Sequence, residues 1–143
     1  MSSFKAFDIA GSGMSAQSVR LNTTASNLAN AESVSGDPNT VYKARHPIFE
    51  AVRSQLAAGA GKDANANAAV KVSGIYESQA PANKRYEPGN PLADTNGYVY
   101  APAVNVVEEM VNMISASRSY QNNVEVMNTS KDLLMATLRL GQS

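Results

Sequence analysis

Large apolar residues recur at helical spacing along the first thirty positions of the chain. Phe7, Met14, Leu21 and Leu28 follow one another every seven residues, which places them in one stripe along a helix. The sequence therefore predicts a long amphipathic helix as the N-terminal segment, residues 1–31. Its apolar stripe would be available for packing against another helix.

The other faces of this predicted helix differ in character. A lane of mostly small residues runs beside the stripe, and the opposite face is polar and expected to meet solvent. The lane consists of Phe4, Gly11, Ser18 and Ala25, and the polar face of Lys5, Asp8, Gln17, Arg20 and Asn27. Each interior Gly weakens a helix by roughly 1 kcal/mol relative to Ala, so we expect this helix to depend on what packs against it.

A second, longer helical pattern occupies the C-terminal segment, residues 104–143. Its positions, mostly apolar, alternate three- and four-residue steps with one interruption at Lys131, and a neighbouring lane adds three more. The main positions are Val106, Met110, Met113, Ser117, Tyr120, Val124, Met127, Leu134 and Leu138, and the lane holds Val107, Ile114 and Met135. Pro102 before the pattern and Gly141 after it predict where the helix starts and stops.

The central segment, residues 32–103, has a mixed pattern. Turn-forming residues at 32–39 end the first helix. Residues 40–48 predict a short extended piece, and residues 49–58 predict a short helix. The small and polar run 59–69 predicts a flexible loop or insertion.

The rest of the central segment predicts β-structure. Residues 70–77 predict a strand with a bulge at Gly74, and residues 80–95, which contain three Pro, predict an irregular passage. An Asn-Gly pair before the β-prone residues 98–100 predicts a tight turn. The expected fold is mainly α, with two long terminal helices in a coiled-coil-like pair and a small β-containing centre.

Composition and charge exclude several classes of function. Twelve Lys and Arg residues balance twelve Asp and Glu residues, so no surface for nucleic acid is expected. The chain has no cysteine, which excludes disulfides and thiolate metal sites. The first residues lack the pattern of a cleaved signal peptide, and no apolar run is long enough to span a membrane.

The residues that carry chemistry give no support to catalysis. His46 is the single histidine, so neither a multi-histidine metal site nor a nucleophile–base pair is expected. Glu108 and Glu109 lie in the first turn of the C-terminal helix, where their charge complements the helix dipole. We therefore expect no enzymatic activity, no cofactor, no metal and no small-molecule substrate.

The apolar stripes allow two interpretations. They can form a hairpin core within one molecule, or they can form interfaces between subunits. The long spacer between the two helices favours interfaces. The candidate interface residues are Phe4, Phe7, Met14, Leu21, Leu28, Met110, Met113, Ile114, Tyr120, Val124, Met127, Leu134 and Leu138.

Both ends of the chain resemble the bacterial flagellar axial proteins, a family of rod and hook subunits. The N-terminal resemblance rests on residues 10–17 (AGSGMSAQ), 20–22 (RLN) and 25–31 (ASNLANA). The C-terminal one includes residues 96–99 (NGYV) and 116–124 (ASRSYQNNV). This second stretch is similar to the short proximal-rod branch of the family.

The resemblance implies a structural subunit of the proximal rod in the flagellar basal body, the drive shaft that carries motor torque to hook and filament. It implies export without signal cleavage and helical assembly in the periplasm. The implied partners are other rod subunits, the membrane-embedded ring protein and the flagellar type III export apparatus. The alternative is a soluble helical adaptor or export chaperone of a secretion system, with its helices paired inside one molecule.

Overall fold

Two long helices flank four short strands in the computed structural model, which describes residues 3–53 and 68–141. The elements are α1 (Ser3–Asn30), β1 (Arg45–Arg53), β2 (Ala68–Glu77), β3 (Asn83–Tyr86), β4 (Tyr98–Ala101) and α2 (Val106–Leu140). The two predicted terminal helices and the small β-containing segment between them are confirmed. The coiled-coil geometry of the helix pair stays a prediction.

The two helices pack side by side in opposite directions. The Nη2 group of Arg20 donates a hydrogen bond to Asn112 Oδ1 at 2.9 Å, while a Cβ added at Gly11 would lie 3.8 Å from the Met127 side chain. Along the contact, residue numbers therefore decrease in α1 as they increase in α2. At 1.5 Å per residue, α1 is about 42 Å long and α2 about 52 Å.

The start and stop of α2 follow from local chemistry. Asn105 precedes the helix, and its side-chain oxygen accepts hydrogen bonds from the N–H groups of Val107 at 3.1 Å and Glu108 at 3.3 Å. This satisfies two of the N–H groups that a helix leaves unpaired. At the other end, the Gly141 N–H donates to Thr137 O at 3.1 Å, as the sequence predicts for a helix that stops at this glycine.

Strands β1 and β2 form an antiparallel hairpin with one irregularity. Ile48 pairs with Gly74 but Phe49 pairs with Val72, so Ser73 is an extra residue in β2. One extra residue of this kind is a β-bulge, which bends the strand. The predicted strand is confirmed, and its bulge lies next to the predicted glycine.

The helix predicted over residues 49–58 is wrong where the chain is described. Residues 49–53 continue β1 and pair with β2. An isolated helix of about ten residues is marginal in water, and the backbone ladder to β2 satisfies the same polar groups. Residues 54–58, and most of the loop predicted over 59–69, lie outside the described residues, while residues 68 and 69 begin β2.

Strands β3 and β4 form a second antiparallel hairpin. The predicted turn before β4 is confirmed, because Gly97 takes a positive φ of 79°. The chain after α1 joins this hairpin where the Ser35 N–H donates to Tyr100 O at 2.9 Å. The irregular passage predicted over residues 80–95 is interrupted by β3, which the sequence pattern missed.

The core of the molecule consists mainly of small side chains. Helix α1 contacts both α2 and the β1–β2 hairpin, so it forms the middle of the fold. The buried apolar residues are Ala10, Ala16, Ala31, Val41, Ala44, Val99, Ala101 and Ala116. Small side chains bury little apolar area, which limits the hydrophobic contribution to stability.

Candidate assembly surfaces

The contact between the two helices depends on small and polar residues of α1. Gly13 faces Asn123 of α2 so closely that an added Cβ would lie 2.8 Å from the Asn123 Nδ2 atom. Because glycine has no side chain, the Asn123 side chain can pack directly against the backbone of α1 at this point. The buried residues of α1 are Ala10, Ala16, Thr23, Thr24 and Asn27.

This arrangement corrects the polar face predicted for α1. Asn27 is completely buried, and Arg20 binds Asn112 of α2. Gln17 is half-buried, and its Oε1 atom is enclosed without a hydrogen-bond partner. Periodicity assigned these residues to solvent because it weighs polarity alone, whereas Asn27 is buried with hydrogen bonds to Tyr42 and Arg45 and Arg20 is bonded to α2.

The large residues of α1 flank this contact. Phe7, Met14, Leu21 and Leu28 are all half-buried. The side chain of the fifth predicted interface residue in α1, Phe4, lies outside the described residues. The small lane beside them is more open than its neighbours, since Ser18 and Ala25 are exposed and Gly11 is half-buried.

Two sets of residues, each at seven-residue spacing, form the inner face of α2. The first set is small or polar and consists of Glu109, Ala116, Asn123 and Ser130. The second is large and half-buried and consists of Met113, Tyr120, Met127 and Leu134. Val124 is also half-buried. Met127 reaches Gly11 of α1, so this second set packs within the molecule.

The remaining predicted positions of α2 lie on its outer face. Met110, Ile114 and Leu138 are 53%, 54% and 62% exposed. Val107 and Val111 extend the exposed apolar patch at the start of the helix. The sequence pattern placed Met110 and Leu138 in one stripe with the inner residues and Ile114 in a neighbouring lane, whereas the structure divides these positions into an inner seam and an outer patch.

The β1–β2 hairpin exposes apolar residues on both of its faces. Ile48, Val52, Ile75 and Tyr76 are each exposed by two fifths or more. An uncovered apolar surface of this kind usually marks a contact with another protein. The sequence pattern did not identify it, because half of β1 was predicted to be helical.

The Asp94 turn orders the loop that leads into β4. Asp94 Oδ1 accepts the N–H groups of Asn96 at 2.8 Å and Tyr98 at 2.9 Å. The hydrogen bond from the Tyr98 backbone lowers the pKa of Asp94 below its ordinary value of 3.8, with a further contribution from the Asn96 N–H. The charged carboxylate therefore stabilises this turn.

Within residues 3–53 and 68–141, no three His, Asp or Glu side chains lie together in a way that could hold a metal ion. Over the same ranges, neither helix is long and apolar enough to cross a membrane. The surfaces with the most exposed apolar residues are the outer patch of α2 and the β1–β2 hairpin.

Both ends of the chain match families of flagellar rod proteins. The family described as "flagella basal body rod protein" matches residues 7–36, and the family described as "flagellar basal body rod FlgEFG protein C-terminal" matches residues 95–140. These matches contain most of α1 and all of α2. The class defined by the paired terminal helices is therefore that of flagellar rod subunits.

Relatives that match nearly the whole chain specify the branch. The flagellar basal-body rod protein FlgC of Salmonella typhimurium is 56% identical over 136 residues, which are 95% of this chain and 96% of the relative. FlgC of Yersinia enterocolitica is 52% identical over 142 residues, or 99% of this chain and 100% of the relative. The chain belongs to the FlgC family of flagellar basal-body rod proteins.

Family membership confirms the resemblance found in the terminal motifs. The family is one of structural proteins of the flagellar basal body, and it implies assembly with other rod components. The motif residues 10–31 lie in α1 and at its end, and residues 116–124 lie in α2. These two motifs therefore lie mainly on the helices that pack against each other, whereas residues 96–99 lie in the turn before β4 and at its start.

Proposed function

We propose that this chain is a structural subunit of the proximal rod and that it helps to transmit torque from the motor to hook and filament. The observation that carries the proposal is the exposed apolar outer face of α2, which residues 3–53 and 68–141 leave uncovered. A subunit of a stiff shaft needs such surfaces for its neighbours. The family to which the chain belongs supports the same role.

Two surfaces would form the contacts with other subunits. The outer patch of α2, centred on Met110 and Ile114, would pack against a neighbouring rod subunit. Phe4, Phe7, Met14, Leu21, Leu28 and Leu138 would complete interfaces along the helix pair. Met113, Tyr120, Val124, Met127 and Leu134 would support these interfaces from the inner seam, so that a neighbour adds to a contact already made within the molecule.

The wider partners follow from the same role. The chain would be carried by the flagellar type III export apparatus without signal cleavage and would assemble in the periplasm beside the membrane-embedded ring protein. We also propose the division into an N-terminal helix (1–31), a central segment (32–103) and a C-terminal helix (104–143). The helices would act in assembly.

Deletion of the gene in a motile host tests the proposal. We expect loss of swimming and of hook-bearing basal bodies, restored by the wild-type chain. A tagged chain should co-purify with detergent-extracted basal bodies in an amount fixed relative to the ring protein. Normal basal bodies in the deletion strain, together with a tagged chain that binds an export substrate in the cytoplasm, would favour the adaptor alternative instead.

A further inference from the structure

The side chain of Asn27 joins α1 to the first residue of the β1–β2 hairpin. Its Nδ2 group donates a hydrogen bond to Arg45 O at 2.9 Å, and its Oδ1 atom accepts the Arg45 N–H at 2.8 Å. A neighbouring β-strand would bind a residue through the same two backbone groups. Asn27 thus takes the place of a strand partner at the point where β1 begins.

Further contacts fix this attachment from the sides. The Tyr42 hydroxyl donates to Asn27 Oδ1 at 2.9 Å and lies 3.1 Å from Ser26 Oγ. Arg45 forms an ion pair with Glu77 at 3.1 Å, which holds β1 to β2 at the base of the hairpin. Asn27 itself is completely buried, so water cannot replace the hydrogen bonds that it makes.

The hairpin has a second, weaker attachment nearer the start of α1. The Val70 N–H donates to Ser12 Oγ at 3.1 Å, and this contact is exposed. Ser12 and Asn27 are separated along the helix by about 22 Å. The hairpin therefore runs back along α1. Two buried hydrogen bonds to Asn27 hold its base, and one exposed hydrogen bond to Ser12 holds it further along.

We propose that Asn27 is a positioning residue that fixes the direction of the β1–β2 hairpin relative to the helix pair. A single hydrogen bond lets the attached group rotate, whereas two bonds to one residue fix its orientation. The hairpin carries Ile48, Ile75 and Tyr76 in exposed positions on its two faces, so its direction decides where these apolar residues are presented. The effect of the hairpin direction on rod assembly rests on the proposed function.

The hairpin and the helix pair are held by separate contacts. The β1–β2 ladder keeps the hairpin together, and the contact of α1 with α2 does not include it. Loss of the Asn27 bonds should therefore loosen the hairpin from α1 and leave both units folded. A residue with a general stabilising role would instead weaken both together.

Distances between spin labels can test whether the hairpin and the helix pair are held independently. Because the chain has no cysteine, labels attach only at the two cysteines introduced for each measurement. Labels at Ser18 and Glu50, both exposed, report the hairpin against α1. Labels at Ser18 and Gln121, also exposed, report the helix pair. The variant Asn27→Asp keeps the size and the acceptor oxygens but removes the donor to Arg45 O.

We expect Asn27→Asp to broaden the Ser18–Glu50 distance distribution at least twofold and to leave the Ser18–Gln121 distribution unchanged. Amide exchange at Arg45 reports separation of the hairpin from α1. It should rise about tenfold, the factor that corresponds to loss of the one net hydrogen bond to Arg45 O that opposes this separation. Asn22→Asp is the matched control, since Asn22 is exposed on the same helix and the charge change is identical. It should resemble the wild type in both measurements.

Two results would overturn the proposal: an unchanged Ser18–Glu50 distribution, or equal broadening of both distributions. If Asn27→Asp does not fold, Asn27→Ser decides in the same way, because serine is too short to reach both groups of Arg45. Incorporation of the wild-type chain into basal bodies is measured separately. Its failure would contradict the proposed rod function and leave the distance result standing.

Discussion

Gly11 and Gly13 lie two residues apart in α1 but contact α2 differently. An added Cβ at Gly11 would lie 3.8 Å from Met127 Cε, an ordinary contact, whereas one at Gly13 would lie 2.8 Å from Asn123 Nδ2. Gly11→Ala should therefore raise the free energy of unfolding by about 0.5–1 kcal/mol, the gain in helix propensity. Gly13→Ala should gain about 1 kcal/mol less than Gly11→Ala, because the Asn123 side chain must shift to make room for the added Cβ. Urea denaturation measures both.

The Asn123 side chain provides the control for this pair. In an Asn123→Ala background the obstructing atoms are absent, so Gly13→Ala should become stabilising by roughly the same amount as Gly11→Ala. If Gly13→Ala already stabilises the native chain as much as Gly11→Ala does, the close helix contact at this position is wrong.

Asp94 gives the molecule a pH-dependent turn. Because the Tyr98 N–H lowers the pKa of Asp94 below 3.8, the folded state binds its proton less readily than the unfolded state does. Its contribution to stability is complete above the unfolded pKa and is lost as pH falls through 3.8 and below. The thermal midpoint of the wild type should therefore fall more steeply with acid than that of Asp94→Asn. Parallel curves for the two proteins would contradict this role.

Among the elements, α2 depends on its N-terminal cap. The Asn105 side chain accepts the N–H groups of Val107 and Glu108, and Asn105→Ala removes both bonds. We expect a loss of about 1 kcal/mol in the free energy of unfolding, with faster amide exchange confined to the first turn of α2. Asn128→Ala, at an exposed position within the same helix, should be neutral or slightly stabilising. Similar losses in both variants would argue against a capping role.

The sequence pattern predicted elements well where one signal extends over many residues. Both long helices follow from spacing that repeats over several turns, and the turn before β4 follows from the conformational freedom of Gly97. The pattern failed over residues 49–53, where five residues suit a helix or a strand and the pairing with β2 decides. It also missed β3, whose four exposed residues carry no alternation.

The candidate site was predictable only in part for a related reason. Periodicity identified the apolar positions of α2 but could not assign Met127 to the inner seam and Ile114 to the outer face, because that assignment depends on where α1 lies. The buried role of Asn27 depends on a hydrogen bond to Arg45, eighteen residues away. The N-terminal motif marked Asn27 as part of a family pattern, but its polarity suggested solvent.

In the whole molecule, the division of α2 into two faces separates stability from assembly. Met127 packs against α1, so a charge there should destabilise the isolated subunit by several kcal/mol. Ile114 is 54% exposed, so Ile114→Asp should change the free energy of unfolding by no more than about 0.5 kcal/mol. The same charge would be buried once a neighbour covers the outer patch, so we expect Ile114→Asp to abolish swimming.

Urea denaturation and motility of the complemented deletion strain measure the two effects. Gln121→Asp, exposed one heptad further along α2, is the control that should stay motile. A motile Ile114→Asp strain with basal bodies in normal number would show that the outer patch of α2 takes no part in the rod.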